Sequence, residues 1–506
     1  MNIIKQYLER LVAFVASTKF LKVIIGLLVV QAFWIALSGR FALAFDEDFH
    51  FGVIKLYSEH LYPFWSSHPA SGDAYGAVAR DPSYLYHYIM SFPYRLIRVV
   101  THSETAEVLI LRFINIAMFA SCLPLFKRLL SKTHASPFAV NLSLLIFVLI
   151  PIVPLLAAQI NYDNLILPLL ALALIYAAEL IELLKRSAFS LSLLLKLVIV
   201  ALICSLIKYA SLPALLGTAI VILVVLIRSP LTIGQLVSQL EEQWTVWASA
   251  RKWGILALLL VLSLLFAERY GFNIVRYHTP VPDCAQVLSF DRCKHYGPWI
   301  RDYNFEQTKS AAADRSPLRY TQHWLYGMWF RSVFAVDGPR SDYETRGPLT
   351  IPAYTAAVAA ALGTISFIIS AKRLWRRYDS SVLYLLSVVT VVYVSVLWLT
   401  EYQLYLQTGM AVAINGRYLL PLMPFFILLS GLAVRCLPKM TFLRTTAVGL
   451  LVVLGFAYGG GALTYILRSS DSWYFSHTPL KTVNHAVKRT LGPVILGQNN
   501  PTQFLH

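Results

Sequence analysis

Long apolar runs, broken by short polar clusters, dominate the pattern of this chain. Runs near 20–44, 107–126, 138–158, 163–184, 253–268, 351–370, 381–400, 418–434 and 446–467 approach the roughly 20 residues a helix needs to cross about 30 Å of hydrocarbon. The stretch 188–227 is apolar enough for two more spans, with Lys208 and Pro213 dividing it into two shorter helices. The pattern predicts an all-α polytopic membrane protein with about eleven transmembrane helices. Composition agrees: 57% hydrophobic and 14% charged residues over 506 positions do not describe a soluble globular chain.

A net charge of +17 would point to nucleic acid in a soluble protein, but here the cations sit in short clusters between apolar runs. Lys5, Arg10, Lys19 and Lys22 precede the first run, and Lys127, Arg128 and Lys132 follow the second. Lys185 and Arg186, then Arg228, Arg251 and Lys252, then Lys372, Arg373, Arg376 and Arg377, then Arg435, Lys439 and Arg444 keep the same register. The opposite turns, 159–164 and 401–416, carry no Lys or Arg. The bias is read as topology, with the amino terminus inside, the carboxyl tail outside and no nucleic-acid partner.

The chain divides on this basis into a cytoplasmic amino terminus and first span (1–44), a first outside loop (45–105), a transmembrane bundle (106–268), a large outside loop (269–350), carboxyl-terminal spans (351–467) and an outside tail (468–506). Both outside loops are too long to be mere connectors. YLYHYIMSFPYRLIRVV (84–100) and TQHWLYGMWFRSVF (321–334) each read as an interfacial amphipathic helix, together roofing a cavity at the outer leaflet. Cys284 and Cys293 lie in the second loop with eight residues between them, where an exterior compartment permits a disulfide. A rival reading attaches to Ala42-Leu43-Ala44, which resembles a signal-peptidase site after the first run. No GxxxxGK[ST], HExxH or GxSxG occurs, which argues against a nucleotide-driven engine or a familiar hydrolase.

FDEDFHFG (45–52) places three carboxylates and a histidine where the first span meets the outside. It is similar to the acidic first-loop motif of GT-C glycosyltransferases, closest to the FDEVHFG form of protein O-mannosyltransferases, with one extra residue before His50. NYDNLILPLLAL (161–172) looks like the family's second outside loop, whose acidic residue opens the fourth span. LIKYASLPALL (206–216) resembles its lysine-containing break between two short helices. NGRYLLPLMPFF (415–426) resembles the GRYLLPLLP signature of uncharacterised bacterial members. The resemblance covers most of the chain in order.

It implies transfer of a sugar from a polyprenyl-phosphate donor, at the outer face of a bacterial inner membrane, to a glycan, lipid or protein acceptor. Membrane lipids would be the other partners. Asp46 is then the general base, taking the proton as an acceptor oxygen attacks the anomeric carbon. Glu47 is its orienting partner or the base itself, and Asp48 is solvated. Lys208, Arg417 and, more weakly, Arg80 are the cations for the donor phosphate; snorkelling is the plain alternative for the first two. Asp163 orients the acceptor or caps the helix it opens. His50, Tyr84, His87 and Tyr88 line the acceptor side or belong to an interfacial belt. No cofactor is certain: Asp46, Glu47 and Asp163 could hold a divalent metal or act without one. A transporter or flippase of a lipid-linked or anionic substrate is the alternative, favoured only by the Lys208 break. A non-catalytic scaffold is a third reading.

Overall fold

The computed structural model describes residues 2–44, 46–309, 315–333, 349–469, 471–475 and 479–496. Phe45 of the acidic motif, parts of the 269–350 segment and the end of the tail lie outside the described residues. Among the described residues the fold is all-helical, and the single extended pairing is an isolated bridge between Gly39 and Tyr474.

Among the described residues eight helices are long and apolar enough to cross a membrane: Thr18–Ser38, Glu104–Ser131, Asp163–Leu184, Tyr209–Arg228, Ser249–Tyr277, Ile351–Arg377, Ser381–Thr408 and Phe442–Arg468. The other three expected spans correspond to Pro137–Leu149, Leu191–Ile207 and Met423–Arg435, which are apolar but only 13, 17 and 13 residues long. Local signals explain where these helices begin and stop. Ser17 caps the first span by accepting from the Phe20 amide, and Phe20, Ile24, Leu28, Ala32 and Ile35 then form one buried stripe at helical spacing. Lys208 stands in extended conformation between Leu191–Ile207 and the helical stretch that follows it, and Pro213 sits in the first turn of the next α-helix. Asp163–Leu184 has the largest buried share of the eight, 72% over its most apolar window, so the bundle packs around it.

The two predicted amphipathic segments are helices, Leu85–Val100 and Pro317–Val333. The first buries Tyr86, His87, Met90, Tyr94 and Ile97 and exposes Leu96, Val99 and Val100. Arg95 fixes it to the neighbouring helix Glu47–Ser58 by donating to the carbonyls of Tyr57 and Ser58, each at 2.9 Å. The Ala42-Leu43-Ala44 stretch is held in the fold, with Leu43 and Ala44 buried.

Candidate functional site

Asp46 precedes the helix Glu47–Ser58 in a left-handed conformation, φ 66° and ψ 23°, which few residues other than Gly, Asn and Asp tolerate. Its side chain does not cap that helix. Oδ2 instead accepts from the Arg417 guanidinium at 2.7 Å, 371 positions away in the chain. The arginine side chain is 5% exposed and the carboxylate 56% exposed, so the pair has one buried and one open partner. Arg417 lies in the short turn Gly416–Leu419, fixed by its backbone amide donating to Asn415 Oδ1 at 3.1 Å. Gly416 permits this placement: a Cβ there would come within 2.6 Å of the Met328 carbonyl on the helix Pro317–Val333.

A second ion pair joins Asp163 Oδ1 to Lys208 Nζ at 2.5 Å, with both side chains buried. Asp163 is the first residue of its helix but makes no capping bond; its backbone amide donates to Asn161 Oδ1 and its carboxylate is turned to Lys208. The capping alternative is therefore replaced by an ion pair. Lys208 lies over the rings of Tyr162 and Tyr418, 4.7 and 5.3 Å from their centroids, and Arg417 lies over Tyr418 at 5.3 Å. Lys208 is also within electrostatic reach of Asp46 and Arg417. Four separated segments thus bring two carboxylates and two cations together.

Glu47, adjacent to Asp46, has a different environment. Arg112 donates to both of its oxygens, Nε to Oε1 at 2.8 Å and Nη2 to Oε2 at 2.7 Å, and neither side chain is exposed. The amides of Leu43 and Ile160 donate to the same carboxylate at 2.7 and 3.1 Å. Arg112 also donates to the carbonyls of Ala36 and Gly39. With four donors on its two oxygens, Glu47 ties the end of the first span to two other segments.

His50 and His87 form a buried pair, Nδ1 to Nε2 at 2.8 Å, with the Tyr162 and His50 rings in a T-shaped arrangement, centroids 4.5 Å apart. Burial pushes His50 well below its ordinary value, aided by His87, Arg417 and Lys208, and burial pushes His87 down to about 3. Both rings are neutral near pH 7. Asp48 is exposed, as expected.

The remaining predicted residues are engaged elsewhere. Arg80 pairs with Glu268 at 2.7 Å and stacks on Phe272. Tyr84 is buried beneath the Arg269 guanidinium, and Tyr88 donates to the Leu61 carbonyl at 2.6 Å. Arg112, Tyr162 and Tyr418 were not singled out from the sequence. An arginine inside the apolar run 107–126 is itself a signal, since such a charge needs a buried partner.

Asp46, Glu47 and Asp163 do not form a metal cage. Each is bonded to a different cation, and among the described residues no three His, Cys, Asp or Glu side chains gather as a cation site. Cys284 and Cys293 are disulfide-bonded, with Cα atoms 5.8 Å apart. Next to this bridge, Arg292 donates to Asp73 at 2.6 Å and docks the second loop on the first.

An apolar groove of about 820 Å³ runs between the helices Pro137–Leu149, Pro317–Val333, Ile351–Arg377, Met423–Arg435 and Phe442–Arg468. Its lining along Ile351–Arg377 extends from Ala356 to Arg377, roughly 30 Å at 1.5 Å per residue. Leu419, in the turn that carries Arg417, and Ser332, packed against Gly416 of that turn, also line it. No protein-family model, curated protein or solved structure matches this chain.

Proposed function

We propose that this protein is an integral-membrane glycosyltransferase that moves a sugar from a polyprenyl-phosphate donor to an acceptor hydroxyl on the outer face of a bacterial inner membrane. The observation that carries the reading is the Asp46–Arg417 pair, an open carboxylate held by a buried guanidinium. In this scheme Lys208 and Arg417 receive the donor phosphate, and the long apolar groove beside Arg417 receives the polyprenyl chain. All eleven apolar helices are spans, and both large loops face outside.

The resting ion pair also sets an order of events. A carboxylate bonded to a guanidinium is a weak base. When a phosphate takes over Arg417, Asp46 is released and accepts the proton of the acceptor hydroxyl. The acceptor oxygen bonds to the anomeric carbon as the bond from that carbon to the phosphate oxygen breaks. The electron pair leaves with polyprenyl phosphate, which the two cations stabilise. Asp163 serves as the counter-charge that keeps Lys208 in place before the donor arrives. Glu47 holds the backbone from which Asp46 projects, and the neutral His50–His87 pair walls the acceptor side.

The buried Lys208–Asp163 pair at a helix break is the feature that would also suit a transporter. Purified protein reconstituted with polyprenyl-phosphate hexoses or pentoses distinguishes the two. The proposal expects acceptor-dependent release of polyprenyl phosphate. Lipid translocation without release would support the transporter, and an absence of donor binding would contradict both.

A further inference from the structure

The helix Ile233–Val246 has no buried residue, yet it is strongly amphipathic. Ile233, Leu236, Val237, Leu240 and Trp244 recur at helical spacing and share one face; Trp247 continues it immediately past the helix. The helix carries its own start signal: Thr232 and Gln235 make a reciprocal capping box. It is attached to the protein by a polar flank. Gln239 accepts from the Phe189 amide at 2.8 Å, while Gln243 accepts from Leu191 at 2.9 Å and donates to the Phe189 carbonyl at 2.7 Å. The apolar face beside that flank is only partly covered: Leu236, Leu240 and Trp244 are half-buried, while Ile233 and Val237 are 82% and 45% exposed.

We infer that this face lies on the phospholipid bilayer, at the boundary between headgroups and acyl chains on the side bearing the Lys and Arg clusters. Continuity carries the assignment. The helix begins five positions after Arg228, the end of one membrane-length helix, and stops three positions before Ser249, the start of another. Both of its ends are therefore held at the surface of the membrane those helices cross. The residues at its carboxyl end suit that depth: Lys252 lies over Trp244 at 5.5 Å and Arg251 over Trp247 at 4.3 Å, so two indoles and two cations stand together where rings meet headgroups. Glu242 is exposed on the opposite side, toward water, and Glu241 is exposed at the edge of the apolar face beside Val237. The inference is independent of the proposed chemistry.

The test uses the full chain in phospholipid nanodiscs, with Cys122, Cys204 and Cys436 replaced by Ala and a spin label at Val237→Cys or, separately, Glu242→Cys. The label at 237 should relax strongly with oxygen and weakly with a water-soluble nickel chelate, and the label at 242 should do the reverse. Strong relaxation by the chelate at both positions would place the helix in water and overturn the inference. Poor access of both reagents at 237 would mean that a protein surface covers the face, which would equally overturn it. Gln239→Leu, which loses the bond to Phe189, checks the attachment: the label at 237 should gain mobility while keeping its oxygen preference.

Discussion

Arg112 holds Glu47 through both carboxylate oxygens in a setting from which water is excluded for both side chains. Two adjacent carboxylates, Asp46 and Glu47, consequently have different environments. One is open and poised beside a guanidinium; the other is sealed into the fold.

Glu47→Gln should behave as a folding defect. Removing one partner of a buried ion pair leaves the other charge uncompensated and costs about 3–5 kcal/mol. Thermal unfolding in detergent should show a large loss of stability, and Arg112→Ala a similar one. A Glu47→Gln protein with unchanged stability and abolished transfer would move the base to Glu47.

Much of this arrangement was legible in the sequence, because hydrocarbon imposes long apolar runs whatever the fold. The Lys208 break, the helix around 85–100 and the pairing of Cys284 with Cys293 could be read locally. Partner choice could not. Glu47 and Arg112 are 65 positions apart, and Arg80 meets Glu268 across 188, so tertiary packing decides which charge meets which. Two of the expected spans were longer in hydropathy than the helices that form: Pro151 follows Pro137–Leu149, and Met423–Arg435 starts only after the turn Gly416–Leu419.

The histidine pair predicts a pH dependence. His87 is held neutral in the folded protein, with its value pushed down to about 3, whereas an unfolded histidine titrates near about 6.5. The unfolded state binds more protons between those limits, so stability is present above about pH 6.5 and is lost as pH falls toward 3. The slope is about 1.4 kcal/mol per pH unit, or about 2 kcal/mol between pH 7 and 5 for one such histidine. Chemical unfolding across that range should show a shallower pH dependence in His87→Gln; an unchanged slope would contradict the assignment.

The Cys284–Cys293 bridge should govern the docking of the second loop. It closes a short loop, which in chain-entropy terms is worth about 2–3 kcal/mol. It also adjoins Arg292, whose contact with Asp73 joins the two loops. Non-reducing peptide mapping should find the two cysteines linked. Hydrogen exchange over 284–308 should accelerate in the double Cys→Ser variant, and Asp73→Asn should reproduce part of that change with the bridge intact. Free alkylation of both cysteines in intact membranes would contradict this.

The central claim is that Asp46 is the base and that it competes with the donor phosphate for Arg417. Asp46→Asn keeps the size of the side chain but removes both the proton acceptor and the competing charge. The decisive measurement is donor affinity and transfer rate, side by side, for wild type, Asp46→Asn and Arg417→Ala in reconstituted membranes with a polyprenyl-phosphate sugar. Asp46→Asn should slow transfer by roughly 10²- to 10⁴-fold while binding the donor about 2- to 5-fold more tightly, the scale of a partly exposed ion pair. Arg417→Ala should weaken donor binding by about tenfold or more. Full transfer by Asp46→Asn, or donor affinity untouched by either change, would contradict the account.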